Sequence, residues 1–193
     1  MAERIDLIVG LGNPGAEYER TRHNVGFWFV DRLAAQAGTA FRREAKFHGH
    51  ACQTKLAGGT LHLLKPSTFM NRSGTAVAAA SRYLKIEPAA ILVVHDDLDL
   101  APGTARLKRG GGHGGHNGLR DITGQIGADF ARLRLGIGHP GHAREVVNYV
   151  LEPPRAEERD PIDDAIDRAL AEIARIVDGE FDIVMNTLNR RAS

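Results

Sequence analysis

Residues 110–121 read Gly-Gly-Gly-His-Gly-Gly-His-Asn-Gly-Leu-Arg-Asp, a stretch poor in side chains that can pack and rich in imidazole and amide groups. Its glycines disfavour a stable helix or strand interior, because each loses much backbone entropy on folding and buries no side chain. The stretch is therefore predicted to be a surface loop, and such loops commonly carry binding and catalytic groups. His113, His116 and Asn117 become candidate functional residues, whereas a plain flexible linker favours Ser, Glu and Lys.

A second candidate is the combination of His23 with Asp96. His23 lies in a polar stretch directly before a predicted helix, so its imidazole is expected near solvent. Asp96 follows the apolar run 91–94, which is typical of a buried strand. A carboxylate of this kind fixes the tautomer of an imidazole and stabilises its protonated form during base catalysis. The pair therefore predicts activation of a nucleophile.

The same region could instead bind a metal ion. The candidate ligands are His95, Asp96, Asp97, Asp99, His113 and His116. However, the chain has no His-Glu-x-x-His or comparably spaced ligand set, and adjacent residues on a strand point to opposite faces. We therefore expect no metal ion and no other cofactor.

No side-chain nucleophile stands out in the sequence. A Gly-x-Ser-x-Gly motif is missing, and Cys52 lies in a predicted strand, where a buried structural thiol is the default. An imidazole and a carboxylate without such a partner favour direct attack by an activated water. Asn13, Asn71 and Asn117 occur in three separate polar or glycine-rich segments, and neutral amides can hold a carbonyl or a peptide backbone without burying charge.

Residues 10–15, Gly-Leu-Gly-Asn-Pro-Gly, match the pattern of a dinucleotide-binding loop after a strand. The match is weak, because Pro14 disfavours helical geometry at Asn13 and the next helix is predicted to start only near Asn24. No second strand ends in an acidic residue that would hold a ribose. A dinucleotide site is therefore not expected.

Hydrophobic periodicity indicates the elements that must position these residues. Strands are predicted at 5–9, 47–56, 60–65, 91–94, 104–109 and 131–137. Helices are predicted at 25–37, at 68–84 with Ser67 as the N-cap, over one long stretch after Pro154 that includes 162–177, and at 181–188. The predicted fold class is α/β, a single-domain mixed, mostly parallel twisted sheet with helices on both faces. Polar residues that follow its strands then meet where such sheets usually bind ligands.

Length and composition agree with one domain spanning residues 1–193. The chain is 42% hydrophobic, which is enough for a sizeable core, and its single cysteine cannot form an internal disulfide. Since the sequence shows neither a signal-peptide pattern nor a membrane-spanning run, we expect a cytoplasmic protein without a membrane partner.

Charge is unevenly distributed although the net charge is only +1. Basic residues outnumber acidic ones in residues 1–151, and the reverse holds in residues 152–182. Arg106 and Lys108 share one face of a predicted strand, as do Arg132 and Arg134 on another. These strands are predicted to present a cationic surface to phosphates, compatible with a polyanionic partner.

Five motifs in order give the chain a resemblance to a known family. They are Gly-Leu-Gly-Asn13-Pro-Gly, Thr-Arg-His23-Asn24-Val-Gly, Lys-Pro-x-Thr-Phe-Met70-Asn71-x-Ser-Gly, His-Asp96-Asp-Leu-Asp-Leu and Gly-Gly-Gly-His-Gly-Gly-His-Asn117-Gly-Leu-Arg. Over about residues 5–189 the chain resembles the bacterial-type peptidyl-tRNA hydrolases.

The resemblance implies a monomeric, metal-independent esterase that releases peptides from tRNA after ribosomal drop-off, with the acceptor stem and 3′ end of peptidyl-tRNA as its partner. It makes His23 the general base and Asp96 its orienting group. The implied contacts to the peptide, ester or water are Asn13, Asn71 and Asn117, and the implied cleft lining is Tyr18, Phe69, Met70 and His116. Lys108 and Arg134 match the basic pair for the tRNA 5′-phosphate. The chain shows no departure at these positions.

Two alternatives remain. A catalytically silent RNA-binding relative, like the organellar splicing factors that resemble this family, is disfavoured because both His23 and Asp96 are retained. A metal-dependent hydrolase would lose its turnover on chelation.

Overall fold

The computed structural model describes residues 3–189, so the outermost residues of the predicted domain lie outside the described part. The strands within it are β1 (Leu7–Gly10), β2 (Arg42–Glu44), β3 (Gly49–Leu56), β4 (Gly59–Pro66), β5 (Ile91–Asp97), β6 (Ala105–Arg109) and β7 (Ala131–Gly136). The α-helices are α1 (Val25–Gln36), α2 (Ser73–Leu84), α3 (Asn117–Ile126), α4 (Val146–Val150), α5 (Ala156–Ala171), α6 (Ile173–Val177) and α7 (Phe181–Asn189). None of these helices combines the length and apolar composition needed to cross a bilayer.

All seven strands form one sheet in the order β2-β3-β4-β1-β5-β7-β6. The four inner strands β4, β1, β5 and β7 are parallel, whereas β2, β3 and β6 pair antiparallel at the two sides. The carboxyl ends of the four parallel strands therefore meet at one edge, and the segments that follow them are brought together there.

The inner strands bury both faces, so their residues alternate between two apolar clusters. In β1, Leu7 and Val9 pack with residues of α2 and α3, whereas Ile8 packs with residues of α1 and of α5 to α7. In β5, Val93 packs on the face that α2 and α3 cover, and Val94 packs on the opposite face with α1. The predicted α/β class, with a mixed, mostly parallel sheet and helices on both faces, is confirmed.

Two glycines let α1 approach the sheet closely. A Cβ on Gly10 would lie 2.3 Å from the carbonyl oxygen of Gly26, and a Cβ on Gly26 would lie 2.4 Å from that of Val94. Within the motif-like stretch 10–15, Gly12 similarly faces the ring of Phe27. These glycines serve helix–strand packing, which places the start of α1 beside the end of β5.

The predicted start of α2 is wrong. The helix begins at Ser73 rather than near residue 68, after a 3-10 turn at Met70–Arg72, and Ser67 does not cap it. The amide oxygen of Asn13 accepts a hydrogen bond from the backbone N–H of Met70 at 2.7 Å. The hydroxyl of Ser73 donates to the carbonyl of Met70 at 2.7 Å. These contacts hold the turn in a non-helical course that local propensity does not reveal.

Several further elements differ from prediction. The long C-terminal helix is divided into α5 and α6 at Glu172, whose backbone leaves the helical region. The elements β2, α3 and α4 were not predicted. The elements β2 and α4, with three and five residues, are too short to display a period, and the glycine-rich composition of residues 110–118 favoured a loop where α3 begins. The hairpin of β3 and β4, the strands β6 and β7 and the helix α7 agree with prediction to within about two residues.

A buried ion pair ties the 3-10 turn Arg22–Asn24 to α4 and α5. The Arg22 side chain is only 3% exposed and donates to a carboxylate oxygen of Glu158 at 2.9 Å. It also donates to the carbonyl of Tyr149 at 2.8 Å and stacks on that ring at 3.7 Å. The Tyr149 hydroxyl in turn donates to the carbonyl of Ile137 at 2.6 Å. The residue before His23 is thus anchored directly to α4 and α5 and, through Tyr149, to Ile137.

We expect Glu158→Ala to lower the free energy of unfolding by about 3–5 kcal/mol, because it leaves the Arg22 guanidinium buried without its carboxylate. Urea denaturation followed by circular dichroism measures the change. Glu157→Ala, which removes the neighbouring exposed carboxylate, is the matched control and should change stability by less than about 0.5 kcal/mol. Equal effects of the two substitutions would contradict this account of the ion pair.

Candidate active site

A cleft of about 800 Å³ opens at the carboxyl edge of the parallel strands. The predicted site residues that line it are Asn13, His23, Phe69, Met70, Asn71, Asp96, Lys108, His116, Asn117 and Arg134. Tyr18 is the predicted residue that does not line it, and its ring instead packs edge-on against Phe69, with centroids 6.1 Å apart. Segments distant in sequence thus contribute to one continuous cleft.

The Asp96 carboxylate lies between two imidazoles. Its Oδ2 is 2.8 Å from Nδ1 of His23, and its Oδ1 is 2.8 Å from Nε2 of His116. The Asp96 side chain is 2% exposed. Burial alone raises the pKa of this carboxyl group, but its attraction to His23 and His116 outweighs burial and holds the pKa well below its ordinary value of 3.8. Asp96 is therefore ionised and accepts hydrogen bonds from both rings.

The tautomer of His116 follows from its second nitrogen. Its Nδ1 accepts the backbone N–H groups of Gly118 at 3.1 Å and Leu119 at 3.3 Å, which makes His116 the N-cap of α3. A neutral imidazole carries one ring proton, so this proton lies on Nε2 and is donated to Asp96. The start of α3, where Asn117 lies, is thereby fixed to the end of β5.

His23 donates its Nδ1 proton to Asp96, because the ionised carboxylate can only accept. Its Nε2 then carries a lone pair and belongs to a ring that lines the cleft. The side chain is 12% exposed and is thus more buried than the sequence predicted. Burial lowers the pKa of the imidazole, but the charge and hydrogen bond of Asp96 outweigh it and raise the pKa above 6.5. An imidazole that is oriented in this way has the geometry that general-base catalysis requires.

His95 is held in the neutral form beside this pair. Burial, followed by the proximity of His116, lowers its pKa to about 4. Its Nδ1–H donates to the backbone carbonyl of Asp96 at 2.8 Å, and its ring lies against that of His116 with centroids 5.2 Å apart. Among the described residues, the group that could geometrically hold a metal ion is instead His23, Asp96 and His116. Of the six candidate ligands considered from the sequence, this group contains Asp96 and His116 but not His95, Asp97, Asp99 or His113.

The three candidate asparagines differ in environment. Asn13 is buried, and its backbone exchanges two hydrogen bonds with the Asn24 amide, at 2.8 and 2.9 Å. Since its Oδ1 is occupied by Met70, its Nδ2 donor is left for a ligand in the cleft. Asn71 and Asn117 are exposed at the starts of α2 and α3, and within the described chain neither side chain has a hydrogen-bond partner in the protein.

The glycine-rich loop is shorter than predicted. It ends at His116, and residues from Asn117 onward belong to α3. The glycines that need a left-handed backbone are Gly110, Gly111, Gly114 and Gly115, all before the helix. Gly118 lies inside α3, where a Cβ would be 2.7 Å from the sulfur of Met70. This last glycine serves close packing and not loop flexibility, a distinction that composition alone cannot make.

The predicted cationic surface forms only in part. β6 and β7 pair so that Arg106 lies opposite Arg134 and Lys108 opposite Arg132, which places the four side chains on one face. Lys108 is exposed, and the Nε of Arg134 donates to Asp97 at 2.8 Å. Arg132 borders the same cleft, but it is buried and contributes almost no accessible surface. The accessible cations at this end of the cleft therefore include Lys108 and Arg134 but exclude Arg132.

One wall of the cleft was not predicted from the sequence. It is formed around α4 by Val146, Val147, Val150 and Leu151. Val147 and Leu151 are exposed apolar side chains. The apolar residues at the spacing 146, 147, 150 and 151 could have indicated one helical turn, but a single turn is a weak signal.

Known proteins resemble this chain over nearly its whole length. A family model described as peptidyl-tRNA hydrolase matches residues 7–193. A crystal structure of peptidyl-tRNA hydrolase in complex with N-propanol is 50% identical, with a TM-score of 0.94 over 96% of this chain and 94% of that chain. The peptidyl-tRNA hydrolase of Acinetobacter baumannii is also 50% identical, with a TM-score of 0.95 over 98% and 96%. The Arg119Gln mutant of the Acinetobacter baumannii enzyme is 49% identical over the same shares, with a TM-score of 0.95.

We expect the His23 ring to titrate with a midpoint above 6.5, so that its neutral form accumulates as the pH rises through that raised pKa. In Asp96→Asn the midpoint should fall, because burial then acts without the carboxylate. Nitrogen-15 NMR titration of the imidazoles measures the His23 midpoint in the wild-type protein and in Asp96→Asn. His62 on β4 is the internal control, since burial lowers its pKa in either protein. An unchanged His23 midpoint in Asp96→Asn would refute the assigned coupling.

Proposed function

The chain belongs to the peptidyl-tRNA hydrolase family, and on this premise we propose that His23 and Asp96 activate the water that cleaves peptidyl-tRNA. The bond broken is the ester between the peptide and the 3′-terminal ribose of tRNA. The observation that carries the proposal is the ionised Asp96 carboxylate, which holds the proton of His23 on Nδ1 and leaves Nε2 as a base in the cleft. The reaction recycles tRNA after ribosomal drop-off.

In the proposed reaction, His23 Nε2 removes a proton from water while the water oxygen attacks the ester carbonyl. The imidazolium that forms keeps its Nδ1–H on Asp96, and the opposite charge stabilises it. The tetrahedral intermediate then expels the ribose oxygen, which takes the proton back from His23 Nε2. The products are the free peptide, whose new carboxyl group loses its remaining proton to solvent, and tRNA with its ribose hydroxyl restored.

The amides are proposed to hold the reaction centre. Asn13 offers a preorganised Nδ2 donor, because its carbonyl end is bound to Met70. Asn71 and Asn117 offer free amides at the same cleft, and such donors can bind the peptide backbone or the developing oxyanion. The exposed Phe69, supported edge-on by Tyr18, provides an apolar surface for peptide side chains.

We propose that the reaction proceeds without a metal ion, and the His116 tautomer supports this. Ligation by His116 Nε2 would move the ring proton to Nδ1. That proton would then face the backbone N–H groups of Gly118 and Leu119, so α3 would no longer be capped. A metal ion at His23, Asp96 and His116 therefore competes with the hydrogen bonds that build the site.

The basic end of the cleft is proposed to bind the 5′-phosphate of the tRNA acceptor stem. Lys108 supplies an exposed ammonium group, and Arg134 supplies a guanidinium whose Nε is oriented by Asp97. Both line the same cleft as His23, so one substrate can engage its two ends. We expect a monomer that acts in the cytoplasm, where ribosomes release peptidyl-tRNA.

His23→Ala should reduce kcat on peptidyl-tRNA by roughly 10²–10⁴-fold, the usual contribution of a general base. Release of free tRNA is measured with and without a chelator, and the chelator should leave the wild-type rate unchanged. Asp96→Asn should also lower kcat, because an amide can leave the proton of His23 on the wrong nitrogen. Near-normal turnover of His23→Ala would remove the mechanism, and loss of wild-type turnover on chelation would favour a metal-dependent hydrolase.

Lys108→Ala and Arg134→Ala should each raise KM for full-length tRNA and reduce its salt dependence, the logarithmic slope falling by up to roughly 0.7–0.9 for each phosphate that the variant no longer neutralises. A minimal substrate, a short peptide esterified to adenosine, lacks that phosphate, so its cleavage should barely change. The two substrates are assayed in parallel over a range of salt concentrations. Equal decreases on both would show that these residues do not act as a tRNA clamp.

A further inference from the structure

Arg132 lies beneath the glycine-rich loop as a buried cation. Its side chain is 2% exposed although it shares a strand face with Arg134. The guanidinium donates to the backbone carbonyls of Gly112, Gly111 (2.7 Å) and Ala128 (3.4 Å) and lies over the ring of Phe130 at 4.3 Å. Within residues 3–189 no carboxylate forms an ion pair with it. Its charge is thus met by the dipoles of the loop and by an aromatic face.

The loop has few other means of being held. Residues 110–115 are five glycines and His113, so no apolar side chain anchors the segment in the core. Four of these glycines adopt left-handed backbone conformations. Glycine samples many backbone conformations in the unfolded chain, so fixing these four costs conformational entropy. Its first half is bound to β7 by the Gly110 N–H, at 3.0 Å from the carbonyl of Phe130, and by Arg132. Its second half ends at His116, on Asp96.

We propose that Arg132 is a positioning residue for hydrolysis, which holds the loop so that His116 and Asn117 keep their places beside Asp96. This inference rests on the proposed function of the cleft. Arg132 acts through the loop backbone and touches no reacting atom. Without it, the carbonyls of Gly111 and Gly112 lose their partner, and the loop between Gly110 and His116 is free to move and to disturb the hydrogen bond from His116 to Asp96. Arg132 therefore belongs to the chemistry of the cleft and not to tRNA docking.

The proposal explains why an arginine occupies this position. A guanidinium presents several N–H donors in a rigid planar fork, which can meet the consecutive loop carbonyls of Gly111 and Gly112 and the carbonyl of Ala128 at once. A lysine ammonium has the same charge but approaches as a single point on a flexible stem. Arg132→Lys therefore keeps the charge and much of the volume while it removes the fork, and it separates positioning from electrostatics.

The experiment compares Arg132→Lys with Arg134→Ala and with Arg109→Lys. Arg109 is the matched control, because it lies on β6 directly before the loop but stacks on Phe181 of α7. On the adenosine ester, Arg132→Lys should lower kcat by about 10-fold to 10²-fold, the effect of misplacing a catalytic group by about 1 Å. Its salt dependence on full-length tRNA should match wild type. Arg134→Ala should instead raise KM and reduce the salt dependence on full-length tRNA, and Arg109→Lys should change neither the kcat on the adenosine ester nor the salt dependence on full-length tRNA.

Two measurements independent of turnover complete the test. Hydrogen exchange of residues 110–117 should become faster in Arg132→Lys than in wild type, with exchange in β1 and β5 unchanged. The Nε2 proton of His116, detected by nitrogen-15 NMR, should lose protection from solvent. Loop exchange and the His116 proton can be measured even if the wild-type enzyme does not cleave the minimal ester. That failure would count against the proposed function and not against the positioning role of Arg132.

Faster loop exchange together with a lower kcat on the adenosine ester would support the proposal. Wild-type cleavage of the ester, combined with a raised KM and a shallower salt slope on full-length tRNA, would make Arg132 a tRNA contact and overturn it. Faster exchange throughout the sheet would also overturn it, because Arg132 would then be a general stabilising residue.

Discussion

The site depends on a buried, ionised carboxylate that is shared by two imidazoles. An uncompensated carboxylate in the position of Asp96 would be costly, and the N–H groups of His23 and His116 offset that cost at 2.8 Å each. The same two bonds decide the tautomers of both rings. One ring is left with a basic nitrogen in the cleft, and the other is left with a nitrogen that caps α3. One charge therefore connects β5 with the turn before α1 and with the start of α3.

Two buried guanidinium groups support the segments on either side of this carboxylate. Arg22 anchors the turn of His23 to α4 and α5 through Glu158 and Tyr149. Arg132 anchors the loop that leads to His116 through backbone carbonyls. Both segments are short and poor in apolar side chains, so hydrophobic packing alone cannot hold them. Charge-assisted hydrogen bonds supply the missing directional constraint.

The cleft joins two kinds of chemistry because the strand order places their residues on neighbouring strands. β5 carries Asp96 and β7 carries Arg134, and the two strands pair directly with His95 opposite Arg134. Alternation along β5 turns Asp96 towards the imidazoles and Asp97 towards Arg134. Adjacent carboxylates of one strand thereby orient the proposed base, His23, and the proposed phosphate-binding cation, Arg134. A substrate with an ester at one end and a phosphate at the other matches this arrangement.

The sequence by itself determined the α/β class, six of the strands, and the polar residues that follow them, because strand periodicity and turn chemistry are local properties. It also identified His23, Asp96 and the three asparagines as candidate residues of a single site. Strand alternation did not separate Arg132 from Arg134, which have the same spacing and share a strand face. Alternation assigns a side chain to a face of the sheet, but only the tertiary structure decides what covers that face. For the same reason, the start of α2, the presence of α3, the wall at α4, and the proton positions on His23 and His116 were decided by contacts between segments distant in the chain.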